Sequence, residues 1–124
     1  MLQRKTPLRR RGIHRSRYAR RERDTEFMLD VKRLACCVRA HPPDPLRGAT
    51  PCYGHVEADH AGSRGLGQKA DDRTCIALCA RHHNERTDHT GSFKHLTRDQ
   101  VREWKLDRIA ETQAEVAALR EALS

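Results

Sequence analysis

GHVEADHAGSRGLGQKADDRTCIALCARHHNERTDHTGSF, residues 54–93, is the stretch that decides the fold. Residues 54–60 (GHVEADH) alternate well enough for a short strand. Residues 61–72 (AGSRGLGQKADD) hold Gly62, Gly65 and Gly67 and read as a loop. Thr74 to Leu78 (TCIAL) reads as a second short strand, and Cys79 to about Asp88 as a short helix closed by Gly91 just beyond its end. The order is therefore strand, glycine loop, strand, helix. Reactive side chains gather at its two ends: Asp59-His60 closes the first strand, and Cys79-x-x-His82-His83 opens the helix.

Upstream, Phe27, Val31, Leu34 and Val38 fall on one helical face, which predicts a helix from about Arg21 to Arg39. His41-Pro42-Pro43 ends it, because proline cannot continue the hydrogen-bond ladder, and residues 42–51 read as a loop. Downstream, Thr97-x-x-Gln100 is a capping box, and the helix after it runs to about Leu123. Val101, Trp104, Ile109, Val116, Leu119 and Leu123 form an imperfect apolar stripe. The first half of that helix is expected to pack on the domain, and its Ala/Glu-rich second half to protrude or pair with a protein partner. The reading divides the chain into a basic flexible arm (1–20), a zinc-stapled domain (21–96) and a C-terminal helix (97–124).

A chain of 124 residues, 36% hydrophobic and 4% aromatic, builds one small domain with a thin core, which calls for a staple. The net charge is +8, and such a balance favours polyanions such as DNA. The N-terminus MLQRKTPLRRRG is basic and lacks an apolar signal segment, and no apolar run is long enough for a bilayer. The expectation is a cytoplasmic protein without a membrane partner, whose Cys36, Cys37, Cys52, Cys75 and Cys79 stay reduced. Beside histidines, reduced cysteines point to zinc rather than disulfides. No Gly-Lys-Ser/Thr occurs, so nucleotide hydrolysis by a P-loop is unsupported.

Over about residues 36–93 the chain resembles the HNH, or ββα-metal, endonuclease superfamily, and more closely small phage and prophage HNH proteins such as the recombinase-dependent phage nucleases. The shared features are the Asp-His pair, the glycine-rich loop and the LCxxHH segment. The resemblance implies an α+β fold: a small ββα-metal core with flanking helices and a structural zinc site. It implies a metal-dependent endonuclease or nickase for DNA, in which His60 is the general base while Asp59 and His83 bind a catalytic Mg²⁺ or Mn²⁺. The chemistry suits these types. A histidine near neutral pKa can take a proton from water, and a divalent ion can hold phosphate oxygens. Neighbours in a strand point to opposite faces, so Asp59 and His60 share one site only if the strand ends or bends there, as Gly62 would allow.

The sequence departs from the family where many members carry a bracing asparagine. Thr74 stands there, with Asp72 and Arg73 beside it. The third ligand for the catalytic ion is open: Thr87 follows His83 by four, and Asp88, His89 or water are the candidates. For structural Zn²⁺ the resemblance implies Cys79 and His82 downstream with Cys36 and Cys52 upstream, Cys37 being the rival to Cys36. Cys75 reads as a buried strand residue. Arg64 and Lys69 in the glycine loop, and Arg9, Arg10 and Arg11 in the arm, are the candidate phosphate contacts, against the plainer reading of solvated charges. The alternative function is a zinc-stabilised DNA-binding module that does not cut.

Overall fold

The computed structural model describes residues 24–62 and 71–124. Arg9, Arg10, Arg11, Arg64 and Lys69 lie outside the described residues. In chain order the elements are α1 (Thr25–Val31), α2 (Cys37–Ala40), β1 (Val56–His60), β2 (Cys75–Cys79), α3 (Ala80–Asp88) and α4 (Arg98–Leu123). Single 3₁₀ turns at Asp72–Thr74 and Gly91–Phe93 lead into β2 and out of α3.

The sheet is one antiparallel pair, with Val56 opposite Cys79, Ala58 opposite Ala77 and His60 opposite Cys75. All five residues of β2 are buried, which is why CIALC is apolar without alternation. Ile76 and Leu78 pack with Val38, Phe93, Val101, Trp104 and Ile109. Cys75 and Ala77 pack on the opposite side with Phe27, Val31 and Val116. The hairpin is thus a wall between two small apolar clusters, and Cys75 is the buried strand residue the sequence suggests. Phe93 meets Trp104 edge to face at 5.4 Å, and the Trp104 indole donates to the His41 carbonyl at 2.9 Å, tying the proline loop to α4.

Three sequence expectations need correction. The single helix over Arg21–Arg39 is two helices, broken between Val31 and Cys37. Phe27 and Val31 serve one cluster while Cys36 and Val38 serve the other, and one straight helix cannot face both sides of β2. Asp24 caps α1, its carboxylate accepting from the Phe27 N–H at 3.0 Å. Second, His89, not Gly91, takes the left-handed position that ends α3, with φ 57°. Gly91 answers a different demand: at φ 53° a Cβ there would fall on the Glu85 carboxylate. Third, the second half of α4 does not stand free, because Val116 is buried against α1 and Arg120 Nε reaches Asp30 at 2.7 Å. The Thr97/Gln100 capping box forms as the sequence spells it, and α4 runs to Leu123. Among the described residues, no helix is long and apolar enough to cross a membrane.

Candidate metal centre and hairpin site

The break after α1 matters because it turns Cys36 inward. With φ −56° and ψ 124°, Cys36 is extended, and its buried thiol points away from α1 toward the start of α3. Cys79 caps α3 with its sulfur, which accepts from the His82 N–H at 3.5 Å. One turn into α3, His82 is fully buried. Cys52 arrives on the loop before β1, where the Tyr53 and His55 carbonyls accept from the Arg81 and Ala80 N–H groups. Gly54 lets that loop close on the helix: its φ is 85°, and a Cβ would lie 2.7 Å from that of Ala80.

The ligand atoms of Cys36, Cys52, Cys79 and His82 all lie within 4.8 Å of one another. The three sulfurs stand 3.3, 3.7 and 3.1 Å from His82 Nδ1. Tetrahedral Zn–S and Zn–N bonds would place sulfur and nitrogen about 3.6 Å apart, so the spacing suits zinc. These four residues can hold a metal ion, and they are the set the sequence suggests. Cys37 is not among the residues whose ligand atoms converge.

The other His82 nitrogen is equally fixed. Nε2 donates to the Thr50 carbonyl at 2.8 Å, which sets the tautomer that presents Nδ1 to an ion. The Thr50 hydroxyl donates to the Glu85 carboxylate at 2.8 Å, and Glu85 accepts the Ser92 N–H at 3.0 Å. Sequence reading missed this outer ring. Its one signal was Glu85 three positions after His82 on the same helix.

The three thiols of the cluster differ in how readily they ionise. Burial pushes the Cys36 thiol up, outweighing the backbone hydrogen bonds from Cys79 and Val38 that lower it. Desolvation and then Cys36 push Cys52 up to about 12. Cys79 is also desolvated, yet ends below its ordinary value because the His82 and Tyr53 backbones stabilise its thiolate. A divalent cation among them would let all three ionise.

Of the residues proposed for chemistry, Asp59 and His60 sit on the hairpin, on opposite faces as the strand period dictates and not turned into one site by a bend, and His83 sits on α3. Asp59 is buried and faces α3, where Arg86 grips both its oxygens through Nε and Nη2. Glu57 shares that face, with Oε1 3.3 Å from Nδ1 of His83. His83 Nδ1 is buried without a hydrogen bond. His60 turns to the other side, where its Nε2 donates to Asp72 Oδ1 at 2.9 Å. Asp72 is itself buried, and its second oxygen accepts the Asp24 N–H at 2.7 Å. Asp59 and His60 therefore have different partners on different elements. Arg86, Glu57 and Asp72 are the site residues sequence reading did not single out. His89, one candidate for the third ligand, is engaged elsewhere, Nε2 donating to the Leu96 carbonyl at 2.7 Å.

Comparisons with protein-family models, with curated proteins and with solved structures find no match. What stands is a small α+β domain built on a two-stranded antiparallel sheet, with a Cys₃His cluster able to hold a metal ion.

Proposed function

We infer that this chain is an HNH-type endonuclease or nickase that hydrolyses DNA phosphodiester bonds with a divalent ion. The observation that carries the reading is the His60–Asp72 pair. A histidine at a strand end, 23% exposed, is held by a buried carboxylate. A carboxylate only accepts, so in the neutral imidazole Nε2 keeps its proton and Nδ1 offers the lone pair to a water. Asp72 lies two residues before Thr74, the position at which the family resemblance implies asparagine, and it orients the base. The Cys₃His cluster at the opposite end of the hairpin is the structural staple, suited to Zn²⁺.

For the catalytic ion the fit rests on His83 and its surroundings. A buried imidazole nitrogen without a hydrogen bond, beside the Glu57 carboxylate, is a donor set for Mg²⁺ or Mn²⁺. Glu57 answers the question of a third ligand better than Asp88 or His89. Asp59 lies on the same face, held there by Arg86. When bound, the ion would supply phosphate charge neutralisation and stabilisation of the leaving oxygen. The net charge of +8 supports DNA as substrate through attraction to its backbone.

A second reading, a DNA-binding module that does not cut, is favoured by one specific feature: Asp59 already has a cation in Arg86. Incubating supercoiled plasmid with the protein and Mg²⁺, Mn²⁺ or no divalent ion separates the two. Nicked or linear product that needs the ion supports the nuclease. Retarded but intact plasmid under every condition selects the binding module.

A further inference from the structure

The open cleft between the end of α3 and the first turns of α4 holds about 450 Å³ and is lined by Arg86, His89, Arg98, Arg102 and Lys105, with Asp99 as its acid and Val101 in its floor. We propose that this cleft seats the phosphodiester backbone of duplex DNA. The proposal rests on the nucleic-acid reading above and names where the backbone lies.

Three facts point that way. First, Arg98, Arg102 and Lys105 recur at i, i+4 and i+7, so they stand along one face of α4. At 1.5 Å per residue they extend over about 10 Å, longer than one phosphate and matched to a polymer of them. Second, their placement opposes the stability of the helix. The N-terminal end of α4 carries the positive end of its dipole, where acids are favoured and cations disfavoured. Arg98 nevertheless begins the helix and Arg102 follows one turn on. The Asp99–Arg102 contact at 2.9 Å is an exposed pair and offsets little of this. Dipole and side chains act together only when an anion lies in the cleft. Third, Arg86 joins the cleft to β1. Its Nε and Nη2 are taken by Asp59, so its part is to set the hairpin beside the cleft while the α4 row meets the phosphates. A backbone in the cleft thus ends beside Asp59.

The test uses the full chain and a labelled 20-base-pair duplex, without added divalent ion, with affinity followed by anisotropy over a range of salt. The triple variant R98Q/R102Q/K105Q removes the α4 row, and the double variant R33Q/R47Q removes exposed arginines elsewhere. The expected result is a loss of at least tenfold in affinity for the triple variant only. The slope of log Kd against log salt should fall by about 2 to 3, near 0.9 per lost phosphate contact. Circular dichroism and zinc content should match the parent. Wild-type binding with unchanged affinity and slope in the triple variant overturns the cleft while leaving the nuclease reading intact. An equal loss in R33Q/R47Q overturns it too, since bulk charge then explains the binding. If inorganic phosphate at matched ionic strength displaces the duplex, the cleft is a small-anion site and the proposal is wrong. A wild-type protein that binds no DNA removes the functional reading and the cleft together.

Discussion

Asp59 and Arg86 close on each other from β1 and α3, carboxylate to guanidinium at two points, with side chains only 3% and 14% exposed. A pair this buried is costly to break from one side. Asp59→Ala should destabilise the fold by about 3 kcal/mol, since it strands a guanidinium away from water. The volume-matched double variant D59L/R86M should recover most of that loss. Urea denaturation measures both. If Asp59→Ala lies within experimental error of the parent, the pair contributes nothing to the fold. Loss of activity in Asp59→Ala is therefore no proof of metal ligation unless stability is measured beside it.

The Cys₃His cluster makes a sharper distinction among the thiols. Cys36→Ser should release zinc and unfold the domain, because binding and folding are coupled in small sites. Cys37→Ser should keep one zinc per chain. Burial raises the Cys37 thiol to about 12, so it stays protonated, and its sulfur is not among the ligand atoms that converge. Elemental analysis of the two purified variants decides. Zinc lost from Cys37→Ser and retained by Cys36→Ser would exchange their roles.

The hairpin, α3 and the zinc set were legible because each is written locally. CIALC is continuous and apolar, Cys79-x-x-His82 has ligand spacing on a helix start, and Thr97-x-x-Gln100 caps by adjacent contacts. The break between α1 and α2 was not legible, because it follows from the two-sided core around β2, and the 3.6-residue period of Phe27, Val31, Leu34 and Val38 hides it. The partners of the chemical residues were equally hidden. Arg86 is 27 positions from Asp59 and Asp72 is 12 from His60, and only the register of the hairpin brings them together. Thr74 drew attention as a missing asparagine, while the carboxylate that meets His60 sat two residues earlier.

Glu85 should govern how tightly the metal is held. It accepts from Thr50 and from Ser92, and Thr50 receives His82 Nε2. Glu85→Gln should weaken zinc affinity by about 10 to 100-fold, the usual effect of an outer partner. A competing chelator would read that change. The acid side carries a second signature. Burial raises the Glu85 carboxyl, but the hydrogen bonds from Ser92 and Thr50 outweigh it, so its folded pKa lies below the ordinary 4.5. A depressed carboxyl contributes stability that is full above its unfolded pKa and is lost as pH falls through the folded value. The stability gap between parent and Glu85→Gln should thus narrow below about pH 4.5. A gap that widens in acid would reverse the sign assigned here.

His60 and Asp72 offer the most specific test of the chemistry. His60→Ala should abolish cutting while DNA binding survives, because the imidazole is asked only to take a proton. Asp72→Asn is subtler. Among the described residues, the buried carboxylate accepts from the His60 ring and from the Asp24 N–H that precedes α1. An asparagine has one oxygen, and keeping it on the backbone N–H leaves its NH₂ toward His60. The imidazole must then accept at Nε2 and carry its proton on Nδ1, so the lone pair no longer faces the solvent side. The base is removed without removing the ring. Cutting should fall by about 10² to 10⁴-fold, the range of a lost general base, with the fold retained. Nitrogen-15 NMR reads the tautomer directly: protonated Nε2 in the parent, protonated Nδ1 in Asp72→Asn. A rate loss with an unchanged tautomer would mean that Asp72 acts through α1 alone, and an altered tautomer with an unchanged rate would remove His60 as the base.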